Sequence, residues 1–350
     1  MKNFLVLSIV FFLLSACGDK ANNANALLPA PIGSADEVLF VIDDNVYSEE
    51  LTKNIKKTII EPYKILPQSQ ARFLVSTVKY SKLNTLLKRF INPVFILIKD
   101  QNSAQSSFVN QFLTVEDRTQ IKENSATVLY KKNLWARNQN VMIIVVETED
   151  DILTFLKQKK IDFNTYFDEN NLSFYKKIAY IDGKNNTLNK QFNEFHNLSF
   201  DVPIGYVIAK NENNFVLLRK DEDKSTLFLM IDIYNYNAEV PINNLGIETF
   251  NKLGHHLDGD KEGSFVVADT TLGFDIVKTS KNNLITFENA GLWVMENDYV
   301  GGGPFINQYH IDNQNNRVIY LAGMVYGPAE KNKKKYMRQF EAMFNTLTIH

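Results

Sequence analysis

Phe305-Ile306-Asn307-Gln308-Tyr309-His310-Ile311, the polar run Asp312-Asn313-Gln314-Asn315-Asn316, and then Val318 to Tyr326 form the stretch on which the architecture turns. Two apolar-rich segments of strand length flank a cluster of turn formers, the pattern of a long β-hairpin. Leu284 to Met295 reads as a third strand on its N-terminal side. On the other side, Tyr336, Phe340, Met343, Phe344 and Leu347 fall on one face of a 3.6-residue period, which predicts a helix laid on the sheet. Further back, Gly205 to Lys210, Phe215 to Lys220 and Leu227 to Tyr234 read as a meander. A helix over Asn244 to His256 and a strand over Phe265 to Asp269 complete this half. The expected class is α+β, with helices packed on largely antiparallel sheets.

The N-terminal half has a different texture. Glu37 to Asp43, Phe73 to Tyr80, Val94 to Ile98, Thr127 to Tyr130 and Val141 to Val146 are strand candidates. Ser48 precedes Glu49 and Glu50 and the apolar positions Leu51, Ile55 and Ile59, the signature of a capped helix that stops at Pro62. Leu83 to Phe90, Glu149 to Leu156 and Leu188 to Phe195 also read as helices. A chain of 350 residues suits two domains of ordinary size. The expected limits are 37–196 and 197–350, with the division near Asp201-Val202-Pro203.

Before these domains, Lys2 and the apolar run Phe4 to Leu14 have the length of a signal-peptide core and fall short of a membrane span. Leu14-Ser15-Ala16-Cys17 resembles the bacterial lipobox, in which the cysteine receives the lipid before cleavage. The resemblance implies a signal peptide over 1–16 and a mature chain starting at Cys17. Two or three acyl chains would hold it firmly where one would bind marginally. Cys17 is the only cysteine, so no intramolecular disulfide or cysteine nucleophile is available. Residues 17–36, rich in Ala, Asn, Pro and Gly, are expected to be a tether. Gly18, in place of an aspartate after the lipidated cysteine, implies the periplasmic face of the outer membrane, with the cell surface left open.

Leu28-Pro29, Gly33, Glu37-Val38, Pro67-Gln68, Trp135-Ala136 with Gln139, Val202-Pro203-Ile204-Gly205-Tyr206, Gly291-Leu292-Trp293, Gly302-Gly303-Pro304-Phe305 and Tyr326-Gly327-Pro328 occur in that order. The series is similar to the lipoprotein family known as domain of unknown function 4837. Arg137-Asn138 departs from the pattern, where a proline is expected before Gln139. The resemblance runs over nearly the whole mature chain, is densest over 291–347, and implies no activity. The C-terminal order of elements also looks similar to PsbP-like α-β-α sandwiches, an analogy of fold alone.

Composition narrows the function classes. Formal charge is −2, and removal of residues 1–16 takes only Lys2, leaving 37 basic against 40 acidic residues. Such balance argues against a nucleic-acid partner. Ser76-Thr77-Val78-Lys79 and Ser173-Phe174-Tyr175-Lys176 match Ser-x-x-Lys, but Ser76 is in a strand candidate and the downstream elements of penicillin-binding enzymes are missing. His255, His256, Asp258 and Asp260 read as a solvated turn at a helix end, so no metal or other cofactor is expected. Lys331, Lys333, Lys334, Lys335 and Arg338 read as a solvated basic face at the start of the last helix. Asp269-Thr270-Thr271 resembles a short periplasmic O-glycosylation sequon on Thr270.

The candidate binding rim is Trp293 with Gly301, Gly302, Gly303 and Phe305, on the assumption that the glycines cap a hairpin beside exposed aromatics. The alternative gives Trp293 to the core beneath the last helix, against Phe340 and Phe344. No catalytic residue is expected. Three functions stay open: a non-enzymatic binding or envelope-assembly module meeting an envelope protein or glycan, a hydrolase of envelope material, or a structural spacer.

Overall fold

The computed structural model describes residues 27–237, 242–281, 284–298 and 301–349. Cys17, the lipobox and the first part of the tether lie outside the described residues. Two compact units are present: residues up to Ile59 together with Leu74–Ile161, and Ile60–Phe73 together with Asp162–His350. The class is α+β with two domains, as expected. The division falls after Ile161 instead of near 197, and the segment 60–73 leaves the first unit to join the second. Tyr63, Leu66, Leu188 and Phe192 join the core of the C-terminal unit, and Phe167 packs edge-on against Phe73.

The first unit contains β1 (Glu37–Ile42), α1 (Glu49–Ile59), β2 (Leu74–Lys79), β3 (Pro93–Ile98), α2 (Ala104–Val109), α3 (Val115–Glu123), β4 (Thr127–Lys132), β5 (Asn140–Val146) and α4 (Glu149–Gln158). Ser48 Oγ accepts the Leu51 N–H at 3.1 Å, and α1 carries acids in its first turn and lysines in its last, in the sense its dipole favours. The strand order is β2-β1-β3-β5-β4. The expected antiparallel sheet is corrected here: β1–β2, β1–β3 and β3–β5 are parallel, and only β4 runs antiparallel. Leu39, Val41, Phe95, Leu97, Ile143 and Val145 pack into a core with Val109 and Leu113. The alternate residues Val38, Phe40, Ile42, Val94, Ile96, Met142 and Ile144 are buried as well. Burial on both faces is what parallel strands require, and it erases the alternation that a half-exposed antiparallel strand would show.

Two further readings change in this unit. Leu83 to Phe90 forms no α-helix but short 3₁₀ turns at Tyr80–Lys82 and Leu87–Arg89. The tether ends earlier than residue 36: Ile32 bridges Phe90, the Arg137 N–H donates to Pro29 O at 3.0 Å, and the Arg89 guanidinium donates to Ala30 O at 2.7 Å. Prolines 29 and 31 hold this backbone extended, so its carbonyls are presented to those donors. Gln139, buried, donates to Lys88 O and Phe90 O at 2.6 and 2.7 Å while its Oε1 accepts the Trp135 N–H at 3.0 Å. One side chain thus fixes the loop before β3 and the Trp135 turn together.

The second unit contains α5 (Lys160–Ala179, whose first two residues belong to the other unit), α6 (Asn186–His196), β6 (Leu198–Ser199), β7 (Val207–Glu212), β8 (Phe215–Glu222), β9 (Ser225–Asn235) and α7 (Ile242–Gly254). It continues with β10 (Phe265–Asp269), β11 (Asp275–Lys281), β12 (Leu284–Glu296), β13 (Gly302–Asp312), β14 (Arg317–Tyr326), α8 (Lys334–Phe344) and β15 (Thr348–Ile349). An eight-stranded sheet has the order β10-β12-β13-β14-β9-β8-β7, with β11 also on β12, and every pairing in it is antiparallel.

Two cores sandwich this sheet, giving the α-β-α layering expected for the C-terminal half. On one face Phe340, Met343 and Phe344 of α8 pack with Leu188 and Phe192 of α6, Tyr63, and Ile306, Ile319 and Leu321 of the sheet. On the other, Leu245, Phe250 and Leu253 of α7 pack with Phe287, Trp293, Phe305, Tyr309 and Tyr320. Gly323 of β14 sits directly beneath the Phe340 ring, where any Cβ would overlap it, so α8 can lie close against the sheet. The hairpin loop falls at 313–316, with Asn316 at φ +48° closing it.

Candidate ligand cavity

The last helix has two working stripes. Tyr336, Phe340, Met343 and Phe344 face the sheet, as the apolar period requires. A second stripe, Lys334, Arg338, Glu341 and Asn345, is polar, and its first three members are buried. The expected solvated basic face is therefore corrected: Lys333, Lys334 and Arg338 are inside the protein. Lys334 Nζ donates to Ala71 O at 2.6 Å, and Lys335 pairs with Glu330 at 2.7 Å.

This stripe forms one wall of a cavity of about 580 Å³. The other walls come from the segment 60–73 (Tyr63, Lys64, Arg72), from α5 (Asp168, Glu169, Leu172), and from β11 and β12 (Asp275, Ile276, Val277, Lys281, Glu288, Ala290). Inside it, opposite charges alternate in a continuous relay. Lys281 Nζ stands 3.7 Å from Glu288 and donates to Asn345 Oδ1 at 2.8 Å. Glu288 pairs with Lys64, and its second oxygen accepts from Gln308 at 2.6 Å. Lys64 reaches Glu341 at 2.9 Å, and Glu341 pairs with Arg338 at 3.1 Å. Arg338 continues to Asp168 at 2.5 Å; Asp168 also pairs with Arg72, and Arg72 with Glu61 at 2.5 Å. The Tyr63 hydroxyl donates to Glu341 at 3.0 Å, and its ring lies 4.5 Å under the Arg338 guanidinium.

The relay locks its charges in place. Burial alone would push the Glu341 carboxyl up, but Lys64, Arg338 and the Tyr63 hydrogen bond outweigh it and hold the carboxyl at about 2. Burial likewise opposes the charges on Lys64 and Arg338, and the carboxylates around them still raise both above their ordinary values. Burial lowers Lys281 from its usual value. His310, behind the cavity on β13, is held neutral by burial and by Lys281, with its pKa lowered to about 3; its Nδ1 lies 2.9 Å from Thr286 Oγ1. Groups whose protonation is fixed across neutral pH suit recognition, whereas general acid–base work needs a pKa near the working pH.

The residues singled out from sequence lie elsewhere in the unit. Trp293 is buried and donates from Nε1 to Val325 O at 3.3 Å. Its core is the one under α7, not the α8 core of Phe340 and Phe344, because Trp293 and Phe287 project from the α7 side of β12. Phe305 is buried and stacks on Phe250 at 4.1 Å. Gly303 pairs with Trp293 and Gly302 with Val294, inside the ladder and not at the turn. Trp293 and Gly301 line a second depression of about 390 Å³, with Asp258, Asp260 and Tyr326. Thr270 is exposed just past β10, where Asp269 Oδ1 accepts the Thr271 N–H at 2.8 Å.

His255 and His256 stack on different partners, Phe265 and Phe215, at 3.9 and 4.3 Å. Ser76 lies in β2 and Ser173 in α5. Sequence reasoning missed the relay itself. The available signal was the four- and three-residue spacing of Lys334, Arg338, Glu341 and Asn345, a second stripe beside the apolar one.

Among the described residues no helix is long and apolar enough to cross a membrane. No curated protein matches the chain. Among solved structures, the Ran-binding protein Mog1p of Saccharomyces cerevisiae is 9% identical, with 44% of this chain and 90% of that chain covered at a TM-score of 0.30. The human StarD13 lipid transfer and protein localization domain is 11% identical, with 46% and 95% covered at a TM-score of 0.21. Likenesses this slight carry no argument. The family models are more informative: residues 185–346 match the domain of unknown function DUF4837, and residues 31–180 match a separate one, DUF8532. The resemblance drawn from sequence thus holds over the C-terminal part, while its elements from Gly33 to Gln139 fall in the stretch that the second model matches. Two models of unknown function thus match successive parts of the chain, DUF8532 the part up to residue 180 and DUF4837 the part from residue 185.

Proposed function

We propose that the protein is an outer-membrane lipoprotein, anchored through acyl chains on Cys17 and facing the periplasm, whose C-terminal domain is a non-enzymatic binding module. The anchor rests on Leu14-Ser15-Ala16-Cys17 and on Cys17 being the only cysteine. The binding role rests on one observation: a cavity of about 580 Å³ whose walls carry the relay Lys281–Glu288–Lys64–Glu341–Arg338–Asp168–Arg72. Each charged group there is oriented by its neighbours before any ligand arrives. Such preorganisation lowers the cost of binding a polar molecule. The partner is an envelope component, protein or glycan, that offers polar groups to this wall. Thr270, exposed, is proposed as an O-glycosylation site.

The test is site-specific photocrosslinking in cells. A photoreactive residue replacing Val277 on the cavity wall should give a discrete adduct. The same residue at exposed Tyr130 of the other domain should not. No adduct at Val277, or the same adduct from both positions, contradicts the binding role.

A further inference from the structure

We infer that the cavity takes an extended peptide with a free C-terminus, seated along β11 with its carboxylate at Lys281. This rests on the reading of the cavity as a binding site and adds the ligand's class. Three features converge on it.

The first is charge balance. Lys64, Arg72 and Arg338 face Asp168, Glu288, Glu341 and Glu61, so each of these cations already has its anions. A polyanion would find no surplus of positive charge on this wall. Lys281 is the exception at one end: its Nζ has Asn345 at 2.8 Å and Glu288 only at 3.7 Å, so a single carboxylate can join it. At the other end of β11, Asp275 is an exposed carboxylate, as is Glu169 of α5. One strand thus carries a cation at its C-terminal end and an anion at its N-terminal end, complementary to a peptide lying parallel to it.

The second is the strand itself. β11 pairs with β12 along its whole length, Asp275↔Ala290 through Lys281↔Leu284, and with no other strand among the described residues. Its outer edge presents main-chain N–H and C=O groups that an added strand can pair with. From Asp275 to Lys281 is six steps, which at ~3.3 Å per residue matches an extended peptide of about six or seven residues.

The third is the apolar lining. Ile276 and Val277 of β11 are exposed, and they border the same cavity as Leu172 and Ala290. Alternate apolar side chains of an added strand would cover them, while its polar main chain meets the strand edge.

The experiment is a titration of the acylation-deficient full chain (Cys17→Ser) with the hexapeptide AVAVAA in three forms: free termini, C-terminal amide and N-acetylated. Binding is followed by calorimetry, and by amide hydrogen exchange at β11. The free peptide should bind saturably and slow exchange of β11 amides. The amide should bind roughly tenfold or more weakly, the loss of one charge-assisted contact. Lys281→Met should bind acid and amide alike, and Asp275→Asn should remove only the preference for a free amine. Equal binding of acid and amide by the unmodified cavity overturns the inference, and so does the absence of any binding. If peptides fail while the Val277 crosslink still captures a ligand, the peptide assignment falls and the cavity remains a binding site. If both fail, the binding role falls with it.

Discussion

The Tyr63 hydroxyl donates to Glu341 Oε1 at 3.0 Å across 278 positions of sequence. That single hydrogen bond ties the segment 60–73, which interrupts the N-terminal domain in sequence, to the last helix of the C-terminal one. Lys64 and Arg338 reach the same carboxylate, so Glu341 is the hub of the relay.

Replacing Glu341 with Gln should therefore be severe. It leaves Lys64 and Arg338 buried without their shared anion, a loss of about 3–5 kcal/mol for a broken buried pair. Urea denaturation of wild type and Glu341→Gln measures it. A change within experimental error would mean the relay is solvated and carries no structural role.

Acid should act in two steps. His310 is held at about 3 against an ordinary 6.5, so the unfolded chain takes up the proton first. Its contribution is full above pH 6.5 and falls as the pH drops toward 3. Glu341 is held at about 2 against 4.5, so its contribution is full above pH 4.5 and is lost as the pH falls through 2. Between pH 6.5 and 4.5, His310→Gln should show a flatter stability profile than wild type, with Glu341 unaffected. Parallel profiles for the two proteins would remove His310 from the account.

Two core substitutions separate packing from binding. Trp293→Ala should cost about 3–5 kcal/mol, because the ring is buried in the α7 core. Gly323→Ala should cost about 1–3 kcal/mol by forcing Phe340 off β14. Both are read as a lowered melting temperature, with adduct formation at Val277 retained in the fraction that stays folded. A Trp293→Ala protein that melts normally but loses its partner would restore the aromatic surface as the binding site.

The anchor is tested in cells with a fatty-acid probe. Wild type should incorporate it, and Cys17→Ser should remain unlabelled and uncleaved. Equal labelling of the two would sink the lipid anchor and the location that depends on it.

The parts of this protein legible in its sequence are those that carry a local signal, a turn or a period. The hairpin of Phe305 to Tyr326 and the apolar face of α8 announce themselves by turn residues and by period. The strands of the N-terminal sheet are legible as strands but not as parallel, because residues on both of their faces are buried. The helix α5 escapes notice for a different reason. Its buried residues Phe163, Phe167, Asn171, Tyr175 and Ala179 recur every fourth position, and the asparagine in the middle breaks the apolar stripe. The cavity is hidden for the same reason: Lys334, Arg338 and Glu341 look like a surface until their partners from α5 and residues 60–73 arrive. Pairing between distant segments is a tertiary fact, and no local period encodes it.

Whether the cavity recognises or catalyses turns on the carboxylate of Glu341. Carboxylate-selective ¹³C NMR, with Glu341 assigned by comparison with Glu341→Gln, follows its ionisation directly. No titration of Glu341 is expected between pH 8 and 4, because Lys64 and Arg338 hold its midpoint near 2. A midpoint between 6 and 7 would make Glu341 a group poised for proton transfer, and would replace the binding module with an enzyme.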